Sequence, residues 1–399
     1  MPGLDALRIS RAAAAMEPEE AFVYLAKGME LKRRGYDVVS FGIGQPDFKP
    51  PDFAIEAAKK AIRDYSGYGP SKGMPQLREA VAEYLDTRYG VDVKPSEVMI
   101  TVGGKAAIFL SMAALLEPGD EVIVPDPGYP VYAIVARFFG AKPVFLRLGP
   151  GNGYRVRYED VERLVDSKTR MIVLNYPENP VGTTMSEGDV RAVLELAEER
   201  GIAVISDEIY DNFVYDAAHF SALQYPGWRR VLLYANGFSK TFAMTGWRLG
   251  YLVADEKIIE RASIIANNLY SCPVTFVQVA AAEALRHDPE LKWFRPIWEE
   301  FRRRRDLIYS LLSSIPGVRL VKPEGAFYAF PDFSGVIEAK GLRDERELAD
   351  RILEETHVVV LPGSAFPGEA GRGHLRFSFA VSREDIERGM ERIRGWMES

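Results

Sequence analysis

The sequence predicts an α/β fold: a three-layer α/β/α large domain with a mainly parallel seven-stranded sheet, plus a smaller α+β domain. Three observations carry this reading. Short apolar runs without polar alternation recur through the first two-thirds of the chain, as strands buried on both faces require. Amphipathic helical patterns separate those runs, and strand and helix in alternation build a layered sheet. The last third changes character, with one long helical pattern followed by shorter strands. At 399 residues the chain has room for two or three domains of ~150 residues each.

In chain order, strands are expected at 98–102, 121–124, 144–148, 171–175, 202–206, 231–235 and 249–253. Val190, Val193, Leu194 and Ala197 keep helical spacing, and Gly201 stands where a helix C-cap glycine belongs. A long helix is expected over 293–312, its run Arg302 to Arg305 forming a solvated face. Strands follow at 327–330, 357–361 and 375–379. Ser382 and Asp385 then form a capping box for a last helix whose Ile386, Met390 and Ile393 share a face. The expected division is a large domain over 50–300 and a small domain built from 1–49 and 301–399.

Composition removes several function classes. Fifty basic and fifty-seven acidic side chains leave a net charge of −7, a poor basis for binding nucleic acid or an anionic membrane. One cysteine, Cys272, excludes a disulfide framework and a cysteine-built zinc site. Four histidines lack metal-ligand spacing, so no metal is expected. No apolar run approaches the ~20 residues that span a bilayer, and 1–16 has no signal-like apolar stretch, so a cytoplasmic location is expected.

Four segments at the C-terminal ends of expected strands carry chemistry, which is where open α/β sheets bind ligands. Thr101-Val102-Gly103-Gly104-Lys105 precedes a helix and offers an anion cradle; a plain strand-to-helix turn reads equally well. Asn175 to Gly182 holds two asparagines and two prolines, as either an inward-facing amide or a surface turn. Asp207 at a hydrophobic strand tip needs a cation or proton donor, or else caps a helix. Lys240 directly follows a buried strand, with Ser239 before it and Arg248 beyond, which suits a Schiff-base lysine as well as a surface one. Taken together these supply an anion cradle, an amide, a buried carboxylate, a nucleophilic amine and a fixed cation. Pyridoxal 5'-phosphate needs that set, having a phosphate, a phenolic oxygen, a ring nitrogen and an aldehyde.

The run Asn236 to Gly250 resembles the lysine signature of the class I/II (fold type I) aminotransferases, most closely their aspartate aminotransferase branch. Gly44-Gln45-Pro46-Asp47, Tyr68-Gly69-Pro70, Gly325-Ala326-Phe327-Tyr328 and Leu375-Arg376-Phe377-Ser378 resemble further family motifs in family order. The resemblance implies that Lys240 holds the cofactor and then moves a proton, and that Asp207 faces the ring nitrogen. It implies that Tyr210 and Asn179 bond the phenolic oxygen and that Tyr129 stacks on the ring. Gly104, Lys105, Ser239 and Arg248 would hold the phosphate, with Tyr68 reaching the phosphate of a neighbouring subunit in a homodimer. Arg376 would clamp the substrate α-carboxylate, with Gly44 approaching it through its backbone. Lys105 either reads a distal substrate carboxylate or adds a second phosphate cation.

Some positions depart from the commoner family pattern. Val181 replaces a usual threonine, Gln45 a frequent glutamate, and Gly237 removes a hydroxyl three residues before the lysine. Tyr270, Asn267 and Asn268 fall where the family places a loop near the substrate, while Cys272 and His374 read as structural. The expected activity is ping-pong amino transfer from an acidic L-amino acid such as aspartate to a 2-oxo acid such as 2-oxoglutarate. Alternatives are an alanine, aromatic or broad-specificity aminotransferase, an eliminating lyase on the same fold, or a non-catalytic ligand sensor. A cis Asn179–Pro180 bond is also expected.

Overall fold

The computed structural model describes residues 8–398, so the first seven residues of the N-terminal stretch lie outside it. Seven strands form the large sheet: β1 (Val98–Thr101), β2 (Glu121–Asp126), β3 (Lys142–Arg147), β4 (Thr169–Asn175), β5 (Ala203–Asp207), β6 (Leu232–Gly237) and β7 (Gly250–Val253). Their spatial order is β1-β7-β6-β5-β4-β2-β3. All neighbours run parallel except β7, which is antiparallel to both β1 and β6. Each expected strand is found, with ends shifted by a residue or two. β1 and β3 are the edge strands; β3 is the least buried strand, and its charged ends, Lys142 and Arg147, protect that edge.

Alternate strand residues feed two separate cores, which is the physical content of three layers. Met99, Val122, Met171, Ile205, Leu233 and Leu252 pack on one face with the helices Gly104–Leu115, Val131–Phe138 and Glu256–Tyr270. Ile100, Ile123, Ile172, Val204, Leu232 and Val253 pack on the other with Pro75–Tyr89, Glu187–Arg200 and Thr275–His287. Helix Glu187–Arg200 ends on Gly201 at φ 65°, the left-handed conformation its place in the sequence predicts.

Register positions the site. Asn175 on β4 lies opposite Asp207 on β5, and Asp207 lies opposite Ala235 on β6. Gly250 pairs with both Thr101 and Gly237. The strand ends that carry the informative motifs therefore finish at one level, side by side. Two small sheets stand over them. Val39–Ser40 runs parallel to Val358–Val359, while Leu361–Pro362, Leu375–Ser378 and Tyr328–Ala329 form an antiparallel trio. The strand expected at 357–361 starts after His357, the left-handed cap of helix Glu345–Thr356, and is split at Val360 between the two small sheets. The Asp385 N–H donates to Ser382 Oγ at 3.1 Å, opening the last helix, Arg383–Glu398. The Asn179–Pro180 bond is cis, as are Asp126–Pro127 and Tyr176–Pro177.

The arginine run corrects the sequence reading. In helix Arg295–Ser313, Phe301, Arg304, Arg305, Ile308 and Leu312 form the buried face, so only Arg302 and Arg303 are solvated. Arg305 is 1% exposed. Its guanidinium donates to Asp216 at 2.6 and 3.2 Å and to the Pro323 carbonyl at 2.9 Å, and lies 5.0 Å from the Tyr215 ring centre. Arg304 pairs with Asp47 at 2.8 Å, tying the Gly44–Asp47 loop to this helix. Arg305→Ala should cost about 2–3 kcal/mol in urea unfolding, since it removes charged hydrogen bonds and a buried stem. Arg303→Ala should cost no more than about 0.5 kcal/mol. Equal costs at the two positions would contradict this assignment.

Candidate active site

A cavity of about 850 Å³ opens where the ends of β1 and β4–β6 meet the two small sheets. Every residue to which the resemblance gives a cofactor or substrate role lines it except Tyr68, whereas Asn267, Asn268 and Tyr270 of the expected substrate-side loop do not. Tyr68 is 92% exposed on the surface of the single chain.

Lys240 follows β6 in a turn that runs to β7. Its Nζ donates to the Gly44 carbonyl at 2.6 Å and lies 5.6 Å from the Tyr210 ring centre. Burial, and next the Arg376 guanidinium, bring its ammonium down to about 8, with Arg248 and Lys105 adding to the fall and Asp207 opposing it. Such a lysine releases its proton far more readily than an ordinary surface one.

Asp207 ends β5 with both oxygens engaged. Tyr132 O–H donates to Oδ2 at 2.8 Å and the Ile209 N–H to Oδ1 at 3.2 Å. Burial pushes its carboxyl up to about 6, against those two bonds. No helix follows Asp207, so the helix-capping reading does not hold: the Ile209 bond closes a turn, and the other oxygen meets a buried phenol.

A chain of hydrogen bonds runs from here to Arg376. Asn175 Nδ2 donates to the Asp207 carbonyl at 2.9 Å, the Asn179 N–H to Asn175 Oδ1 at 3.0 Å, and Arg376 Nη1 to Asn179 Oδ1 at 2.9 Å. The segment 175–182 is therefore an inward-facing structure, not a surface turn; Asn175 and Asn179 are both buried. Arg376 is 4% exposed. Its Nη2 donates to the Gly42 carbonyl, its Nε has no partner among the described residues, and its plane lies 4.5 Å from the Tyr328 ring centre.

Gly103, at φ 80°, caps the helix Gly104–Leu115, whose first N–H groups lack intrahelical acceptors. A Cβ at Gly103 would stand 2.5 Å from Arg248 Nη2, and one at Gly250 2.6 Å from the Gly103 carbonyl carbon. Arg248 adopts φ 55°, an unusual conformation for a side chain this large, and its Nη1 donates to the Thr245 carbonyl at 2.8 Å. Glycine at both positions thus leaves a narrow cradle between a helix N-terminus, Ser239 and a guanidinium. Lys105 stands on the first turn of that helix and pairs with Glu19, which also accepts from Tyr129 O–H at 3.4 Å.

Glu19, Tyr132 and the hydroxyl of Tyr328 were not found as site groups from the sequence. Glu19 belongs to no motif. Tyr132 sits three residues after Tyr129, a spacing that carried no signal alone. Tyr270, Cys272 and His374 do not line the cavity. His374 Nε2 bonds the Tyr154 hydroxyl at 2.7 Å and Nδ1 the Arg372 carbonyl at 2.8 Å, so it braces the surrounding chain.

The family described as aminotransferase class I and II matches residues 36–393. The aspartate aminotransferase of Sulfurisphaera tokodaii is 38% identical, covering 98% of this chain and 97% of its own. Aromatic-amino-acid aminotransferase 2 of Thermococcus litoralis is also 38% identical, over 92% of each chain. Among solved structures, the Thermus thermophilus aspartate aminotransferase with maleate superimposes with a TM-score of 0.92 at 36% identity, covering 98% of this chain and 99% of that one. This chain belongs to the class I and II aminotransferases and is a pyridoxal 5'-phosphate-dependent aminotransferase.

Proposed function

We propose that this chain is a cytoplasmic, homodimeric enzyme that moves an amino group from an acidic L-amino acid, aspartate first, to a 2-oxo acid such as 2-oxoglutarate. The residues present fit the cofactor. The Gly103–Gly250 cradle, which a Cβ would fill, suits its phosphate, held by Arg248, Ser239 and the amides of Gly104 and Lys105. Asp207 suits a protonated ring nitrogen, Tyr129 the ring face, and Tyr210 and Asn179 the phenolic oxygen. When bound, the cofactor supplies an electron sink for the bond broken at the substrate Cα. Lys240 supplies the amine that holds it and then the base that carries the proton, a task for which an ammonium lowered to about 8 is suited. Arg376 takes the α-carboxylate in a planar fork, and its unpartnered Nε leaves it donor capacity.

The acidic preference rests on one observation, the Lys105–Glu19 ion pair. A carboxylate from the N-terminal segment already sits on Lys105 inside the cavity, and a substrate's distal carboxylate can exchange for it. The Thermus thermophilus relative, solved with the dicarboxylate maleate, supports the same reading. Lys105→Ser should lower kcat/KM for aspartate about 10- to 100-fold, the worth of one charged hydrogen bond, and leave alanine nearly unchanged. Faster transfer from alanine or aromatic donors than from aspartate in the unaltered enzyme would overturn the preference. A second reading, acceptance of aromatic donors as well, is favoured by Phe22, which lines the cavity beside Lys105. The same donor panel decides it.

The homodimer rests on an uncovered apolar surface. Tyr68, at 92% exposure, and the exposed Leu269 and Val274 belong to two segments that are bonded together, Asn267 donating to Ser71 Oγ at 2.7 Å and the Gly69 N–H to Cys272 Sγ at 3.3 Å. Such a patch is unusual unless a second copy covers it. Sedimentation velocity should give a dimer, and Tyr68→Ala should weaken cofactor retention. A monomer that retains cofactor fully would contradict both parts.

A further inference from the structure

Tyr328 belongs to a motif that the assigned chemistry leaves without a role, yet it touches three parts of the site at once. It is 1% exposed, on a strand fixed by pairing with Leu375–Ser378. Its hydroxyl lies 2.7 Å from that of Tyr210, with the rings edge to face. Its ring lies 4.5 Å beneath the Arg376 guanidinium. A Cβ at Gly44 would overlap its hydroxyl, so the loop whose carbonyl accepts from Lys240 is packed directly upon it.

A phenol has one proton to donate. If Tyr210 gives its proton to Tyr328, it has none left for the cofactor. If Tyr328 donates to the Tyr210 oxygen, the Tyr210 O–H is free to point into the cavity, and accepting one bond strengthens the bond it donates. We propose that Tyr328 is a positioning residue that donates to Tyr210, directing and strengthening the Tyr210 hydrogen bond to the phenolic oxygen of the cofactor, while its ring separately seats Arg376. The proposal rests on the reading that Tyr210 faces that oxygen. The charged and titratable groups around this pair are Arg376, Lys240, Asp207 and Tyr129; the Tyr328 hydroxyl also acts directly on Arg376 and Tyr129, and the Tyr210→Phe background separates that effect from action through Tyr210.

The test is the pH midpoint of the absorbance change of the bound cofactor in the holoenzyme, read beside KM for the amino donor. Tyr328→Phe keeps the ring and loses the hydroxyl. Its midpoint should rise by about 0.2 to 0.5 of a unit, since the Tyr210 bond is weakened by roughly 10–30% and not lost, with KM within about twofold of the unaltered enzyme. Tyr210→Phe should raise the midpoint further, and adding Tyr328→Phe to it should change nothing more. Tyr328→Leu, which removes the ring, should also raise KM roughly fivefold, as the stacked cation is lost. An unchanged midpoint in Tyr328→Phe with a raised one in Tyr210→Phe overturns the proposal and leaves the placing of Tyr210 intact. An unchanged midpoint in both variants removes the placing of Tyr210 and the proposal with it. A further rise in the double variant overturns action through Tyr210. Melting curves matching the unaltered enzyme establish that Tyr328→Phe is folded.

Discussion

Burying the Lys240 ammonium beside the Arg376, Arg248 and Lys105 cations, with a neutral carbonyl as its hydrogen-bond partner, is the constraint on which this site depends. Each of those cations disfavours a charged lysine, and removal from water disfavours it more. Asp207 pulls the other way, and burial holds its own carboxyl up at about 6. A proton on the amine and a charge on the carboxylate are both expensive here, so the site is built to receive a group that carries charges of its own. An anionic phosphate, a basic ring nitrogen and an aldehyde relieve each imbalance in turn.

The fold makes that arrangement possible by aligning strand ends. Asn175, Asp207 and Ala235 share one level of the sheet, so Lys240, three residues past β6, is brought to the same cavity as Asp207. The two antiparallel pairings of β7 bring Gly250 against Gly103, closing the anion cradle beside Arg248. Arg376 arrives from the opposite side, on a strand of the small antiparallel sheet. Its link through Asn179 and Asn175 to the Asp207 backbone couples the two sides with directional bonds that neither side can shift alone.

Most of the sheet was legible because strands buried on both faces need continuous apolar runs, and these were present. The candidate site motifs were legible because each is local: Asp207, Lys240 and Arg248 lie at strand ends that the runs themselves mark, and all three line one cavity. What escaped was non-local. Tyr132 meets Asp207 across 75 residues and Glu19 meets Lys105 across 86, contacts that only tertiary register creates. The arginine run was misread because charge was given priority over phase: Phe301, Arg304, Arg305, Ile308 and Leu312 keep a helical face, and the partner of Arg305, Asp216, is 89 residues away. A buried arginine hides its apolar stem in a sequence that advertises only its charge.

Covalent attachment at position 240 underlies every role assigned above. Borohydride reduction of the cofactor-loaded enzyme, followed by peptide mass mapping, tests it directly. The account predicts the reduced cofactor adduct on the peptide that contains Lys240, and its loss in Lys240→Ala. A fully loaded enzyme whose Lys240 peptide is recovered unmodified, with the adduct on another lysine, would contradict it.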